Sequence, residues 1–264
     1  MIKTLRILFL VTFLIIFFDG AVAFATPSTT YWSPAVIDVQ PYNVWHIGID
    51  NYFIVKKPSS LKPNDGPSSF PTDVQITVGV LPWEKIQMEV GIDAMYPSND
   101  PYMFHAKIGT PENSIFAGSP GINIGIFDVG TKTGGAANAG RTDYDIVDFI
   151  VGKTLPYNLG RLHAAYYVGN RAALRSSSGD EQNMGFMIAY DKGFFSTTDK
   201  SGNEYKRVVF AADYISGKNY IGGGGFGLYY YFTKDISLLV GPVWMNDTMI
   251  NGPMKITTQL DINI

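Results

Sequence analysis

The 264-residue chain has no cysteine, which excludes a disulfide framework, a cysteine zinc site, a thiol nucleophile and a lipid-modified N-terminal cysteine. Charge is scarce as well. Asp, Glu, Lys and Arg make up 16% of the residues, against the roughly 25% of an ordinary soluble domain. A net charge of −3 removes nucleic-acid binding through bulk positive charge. Helical periodicity is missing too, since no stretch sets apolar residues on one helical face between a cap and a stop. What the chain does hold is glycine (28 residues), tyrosine (16) and phenylalanine (17). A disordered chain would be rich in charge and poor in aromatics, so this one folds.

Residues 1–25 read as a secretory signal peptide. Lys3 and Arg6 precede the apolar run Ile7 to Phe18, which spans about 18 Å as a helix and falls short of a roughly 30 Å hydrocarbon core. Asp19 and Gly20 end the run, and Ala21-Val22-Ala23 and Ala23-Phe24-Ala25 are small-x-small cleavage patterns. Removal after Ala25 is expected. No later stretch is apolar for long enough to make a membrane helix.

Beyond the signal, the period is two almost everywhere. Val74, Ile76, Val78 and Val80 alternate with Gln75, Thr77 and Gly79; Ile86, Met88, Val90 and Ile92 alternate with Gln87, Glu89, Gly91 and Asp93. Leu81 to Lys85 joins these two runs as a short hairpin connection. Similar runs recur through to the terminal one, where Ile256, Thr258, Leu260, Ile262 and Ile264 oppose Lys255, Thr257, Gln259, Asp261 and Asn263. The reading is all-β with about twelve strands, 10 or 14 being the other counts considered. Short connections at Pro82-Trp83, Pro111 to Asn113, Pro156 to Asn158 and Thr233 to Asp235 interleave with long polar ones at 56–72, 130–144 and 171–183. That is the signature of an antiparallel up-and-down barrel with two unlike ends. The connection 193–206 is longer than this scheme asks for.

Two architectures fit so many alternating strands: a soluble β-sandwich, and a transmembrane barrel with its faces inverted. The polar phases carry Gly, Thr, Gln, Asn, His and acids with few lysines, while the apolar phases are broad and aromatic. That favours a lipid-facing exterior around a polar lumen, because closure alone satisfies a β backbone in lipid. Trp45, Trp83, Tyr157, Tyr229, Tyr231 and Trp244 are candidates for interfacial aromatic girdles.

The signal sequence, the alternating strands and a terminal strand closing the chain together resemble a bacterial outer-membrane β-barrel of the small porin-like kind. Ile264 stands where such proteins usually end in an aromatic residue. The resemblance implies a Gram-negative outer-membrane location, contact with outer-membrane lipid and with the outer-membrane assembly machinery, and small solutes or ions as cargo. It leaves the oligomeric state open. Residues 26–42, with Pro27, Pro34 and Pro41, are then expected as an N-terminal periplasmic segment, folding into the lumen being the other placement, and 43–264 as the barrel.

Catalysis is not expected. The three histidines, His46, His105 and His163, all fall in polar phases and lack a Gly-x-Ser-x-Gly or other nucleophile–base pattern near them. The run Gly222 to Gly225 lacks the Lys-Ser/Thr and the helix of a phosphate loop, and reads as a wall that bends or admits close approach. No cofactor and no metal are expected. The lumen lining is assigned to His46, Asp50, Gln75, Glu89, Asp93, His105, Lys107, Asp148, Arg161, His163, Asp213 and Asp261. The lipid face is assigned to Ile47, Ile76, Val78, Val90, Ile92, Ile108, Leu162, Phe210 and Ile262. The inward phase holds Asp50, Glu89, Asp93, Asp148, Asp191, Asp213 and Asp261 against Lys107, Arg161 and Lys255, an acidic excess that predicts cation preference in a pore. The functional expectation is a pore or channel for small solutes, the alternatives being a non-transporting structural or adhesion barrel and a soluble secreted β-sandwich that binds a ligand.

Overall fold

Alternation over the whole domain becomes pairing between successive strands. The computed structural model describes residues 31–55, 72–96, 102–134 and 141–264, so the signal peptide lies outside the described residues. Twelve strands follow in order: β1 (Trp45–Ile54), β2 (Thr72–Gly79), β3 (Gln87–Tyr96), β4 (Tyr102–Thr110), β5 (Gly121–Gly130), β6 (Asp143–Thr154), β7 (Arg161–Val168), β8 (Met184–Thr198), β9 (Glu204–Ile215), β10 (Gly223–Tyr231), β11 (Ile236–Met245) and β12 (Lys255–Asn263). Each pairs antiparallel with its neighbours in sequence, and β12 pairs with β1 to close the barrel. Among the described residues, one helical turn, Thr248–Asn251, interrupts the β structure. Closure leaves no sheet edge and rules out the sandwich.

Register sets the two faces. Ile236, Ile262, Ile47, Ile76, Ile92 and Phe104 are successive cross-strand partners and form one apolar row across six walls of the exterior. A one-residue slip in any of these strands would turn its apolar set inward. The regularity breaks around Asp128, whose φ of 54° accompanies register shifts between Phe127 and Val129 against β6 and between Phe104 and Ala106 against β5.

The long connection at 193–206 is resolved by strand length. β8 runs 15 residues and β9 runs 12, so only 199–203 form the turn. The Asp199 carboxylate ties that turn, accepting from the backbone N–H groups of Ser201 and Asn203 at 2.8 Å each. The connections β2–β3, β4–β5, β6–β7, β8–β9 and β10–β11, none over ten residues, then share one end, and the longest, 55–71, 131–142 and 169–183, lie at the other.

One expectation is corrected outright. Residues 31–41 do not hang outside the barrel as a periplasmic segment; they run through its interior. Tyr31 sits against β10 and β11, and Val36 reaches β4 and β5 on the opposite wall, where its carbonyl accepts from Asn123 Nδ2 at 3.3 Å. The chain then returns to the tight-turn end, where Tyr42 bridges Gly79 before β1 begins. Within the lumen Tyr31, Ala35, Val36 and Ile37 are withdrawn from solvent, a favourable burial of apolar surface. Two of the proposed girdle aromatics are also corrected. Tyr229 and Tyr231 are 3% and 2% exposed and point inward, while Tyr230 and Phe232 take the outer face. A run with tyrosine in both phases hides its own facing.

Candidate functional site: the barrel interior

The interior is built from the inward phase of every strand. His46, Asp50, Gln75, Glu89, Asp93, His105, Lys107, Asp148, Arg161, His163, Asp213 and Asp261 all point into it. Ile47, Ile76, Val78, Val90, Ile92, Ile108, Leu162, Phe210 and Ile262 all point out.

Three groups of inward residues form. Around β7, Arg161 makes a two-pronged bond to Asp38 of the N-terminal segment, both arms at 2.7 Å, and reaches Asp191 at 2.9 Å. His163 shares the same Asp191 at 3.0 Å. Beside the β12–β1 closure, His46 lies 3.2 Å from Asn263 and 3.5 Å from Asp261. β1 and β7 stand on opposite walls, so His46 and His163 serve separate carboxylates and do not converge.

The third group lies along β1–β6. His105 is held between Asp93 and Thr77, at 2.9 Å to each. Lys107 lies 3.5 Å from Glu89, whose other oxygen accepts the Gln40 N–H at 2.6 Å. Gln75 Nε2 lies 3.2 Å from both Asp50 and Asp73. Asp148 leans over Gly125, where a Cβ would stand 2.6 Å from its Oδ1, so the absent side chain makes room for the carboxylate. These residues surround a cavity of about 160 Å³ between the β1–β6 wall and the N-terminal segment, which contributes Tyr31, Trp32 and Pro34 to its lining.

Asp213 has a different role from its neighbours. Its Oδ2 accepts three backbone N–H groups, from Tyr31, Trp32 and Ser33, at 3.0, 2.9 and 2.7 Å. It anchors the N-terminal segment. Beside it the Tyr31 ring lies across Gly225, Gly227 and Gly241, where a Cβ would come within 2.6, 2.6 and 2.7 Å of the side chain. The glycine-rich stretch of β10 is thus a flat seat for one aromatic ring.

The sequence reading missed Asp73 and Asp128, both of which line the cavity. Extending the β2 alternation one residue back from Val74 finds Asp73. Asp128 sits on the bulge that breaks the phase, so no periodicity could have found it. Asp38 and Trp32, in a segment without period, were equally out of reach.

The exterior is the inverse of a soluble surface. Large apolar side chains stand exposed on strand after strand, Ile76 at 42%, Phe149 at 47% and Leu228 at 53% among them, far beyond the patches a soluble monomer shows. Trp45, Trp83 and Tyr157 lie outward at the tight-turn end, and Tyr102, Tyr214 and Trp244 outward near the other. Closed pairing, an apolar outside and a polar inside define a transmembrane β-barrel of the bacterial outer-membrane kind.

Solved structures similar to this chain include the KdgM porin, at 8% identity over 83% of this chain and 97% of that one, with a TM-score of 0.48. The COG4313 outer membrane channel from Pseudomonas putida F1 is 12% identical over 88% and 99%, with a TM-score of 0.44. The NanC porin is 8% identical over 82% and 98%, with a TM-score of 0.43. No protein-family model matches the chain, and no curated protein does either.

Proposed function

We propose that the protein is a non-enzymatic outer-membrane channel for small solutes, preferring cations and narrowed by its own N-terminal segment. The observation that supports this most is the polar wall of β1–β6, where Asp50, Asp73, Glu89, Asp93, Asp128 and Asp148 line one cavity. A barrel serving only as an anchor has no need of so many inward carboxylates, because apolar packing would cost far less in desolvation. In this reading the inward set from His46 to Asp261 lines the lumen, and the outward set from Ile47 to Ile262 meets lipid. The tight-turn end faces the periplasm and the longer loops face outside. Strand β12, closing on β1, is the segment that the assembly machinery would receive.

A non-transporting barrel is the second reading, favoured by the passage of residues 31–41 from wall to wall. Planar-bilayer recording separates the two. The channel reading expects a small conductance that rises when residues 31–41 are deleted, with a reversal potential in a KCl gradient that shows cation preference. No conductance from either form would establish the non-transporting reading, and anion preference would remove the charge argument.

A further inference from the structure

The carboxylates of the cavity are unequally partnered. Glu89 is engaged by Lys107 at 3.5 Å and by the Gln40 N–H at 2.6 Å, and Asp93 by His105 at 2.9 Å. Asp50 and Asp73 share one amide group, Gln75 Nε2, and Asp50 is also met by the Tyr52 hydroxyl. Asp73 and Asp148 each keep one oxygen, Oδ1, buried without a hydrogen-bond partner. Both residues line the cavity and are 9% and 2% exposed. Buried acceptors left in this state are costly, on the order of 1–3 kcal/mol each, and call for a donor from outside the chain.

The rest of the lining narrows what that donor is. Trp32 and Tyr52 meet edge to face, with ring centroids 5.4 Å apart, and Phe127 and Tyr220 add further aromatic surface. Aromatic faces attract cations that carry an organic body. Among the described residues no group of three or more His, Asp or Glu side chains has the geometry to hold a metal ion. A cavity of about 160 Å³ is close to the roughly 150 Å³ that accommodates benzene.

We propose that this cavity is a binding site for a small organic cation, a primary ammonium or guanidinium head on a compact apolar body, with Asp73 as the acceptor of the head and Asp148, four strands away, as a separate acceptor farther along the cavity. An ammonium brings three donors and a guanidinium five, and neither offers an acceptor. That matches a wall whose unmet need is entirely for donors. The proposal deepens the channel reading by naming a solute class, and rests on that reading for its physiological use.

The test is calorimetric titration of the refolded full chain in detergent micelles with benzylammonium chloride, using benzyl alcohol and benzoate as isosteric controls. Saturable binding of benzylammonium is expected, at least tenfold tighter than either control. The double variant Asp73→Asn/Asp148→Asn should weaken it at least tenfold, while Glu112→Gln, at a tight turn, should leave it unchanged. Heat-modifiable migration confirms that each variant is folded. Should the double variant prove unfolded, the single variant Asp73→Asn gives the same reading by weakening binding. Equal binding of benzyl alcohol, retained affinity in the Asn variants or no saturable binding overturns the site. Binding without any bilayer conductance would retire the channel reading and leave the site standing. Cation-selective current without saturable binding would do the reverse.

Discussion

The two walls of the barrel interior solve the same problem in opposite ways. Along β8–β11 the inward positions include Ala189, Val209, Ala211, Leu239 and Val243, with glycines in β10 and the carboxylates Asp191 and Asp213 already engaged, and the Tyr31 segment packs against them. Loops at the open end complete that side: Asn251 Nδ2 donates to the Tyr220 carbonyl at 2.7 Å, and the Ser177 N–H to Asp247 at 2.9 Å. Along β1–β5 the inward positions are His46, Asp50, Gln75, Thr77, Glu89, His105 and Lys107, and space remains. One wall behaves like a core with a guest segment, and the other like the lining of a passage. The segment at 31–41 belongs to both, clamped to the first through Asp213 and to the second through Glu89.

The sharpest way to break this picture is through the outer face that both walls share. Val90→Arg should destabilise the barrel by about 2–4 kcal/mol, the cost of a charge near the bilayer midplane. Gln87→Arg, on the inner phase of the same strand, should be well tolerated. Denaturant titration in lipid vesicles measures both, and equal costs would contradict the assigned facing.

Next in size is the anchor of the guest segment. Asp213→Ala removes the carboxylate that three backbone N–H groups share and, with water admitted to take them up, should cost about 2 kcal/mol. Trp32 emission should shift to the red and the bilayer conductance should rise, whereas an unchanged current would mean that the segment does not limit the passage. Gly227→Ala tests the seat of Tyr31 more gently. Its Cβ would lie 2.6 Å from the ring, an overpacking expected to cost about 1 kcal/mol and read as a lowered melting temperature.

The smallest expected effect is the most discriminating for the polar wall. Asp73→Asn with Asp148→Asn should reduce cation preference more than Glu89→Gln with Asp93→Asn, because the second pair already faces Lys107 and His105. Reversal potentials in a KCl gradient give the ranking. Both shifts should fade near 1 M salt, where the Debye length is about 3 Å.

Much of this was legible in the residues. Facing along β1–β4, β7 and β12 follows from period-two runs such as Val74 to Gly79, since a pleated strand turns successive side chains to opposite faces. Facing in β10 was not legible, because Tyr229, Tyr230 and Tyr231 suit either side of an interface. The acidic excess could be counted, yet its meaning changed on pairing. Asp191 is engaged by Arg161 and His163, Asp213 holds backbone, and only part of the excess borders open space.

By itself, then, the sequence determined a β architecture of about twelve antiparallel strands, apolar outside and polar inside, because those properties are local and repeat every two residues. The tertiary structure alone decided that residues 31–41 enter the lumen, that Gly225, Gly227 and Gly241 come together beneath one tyrosine, and that Asp73, Asp128 and Asp148 share a cavity with Trp32. Those relations join positions as far apart in the chain as Tyr31 and Pro242, bonded at 2.9 Å. Closure of the barrel is what sets such distances, and no local pattern carries that information.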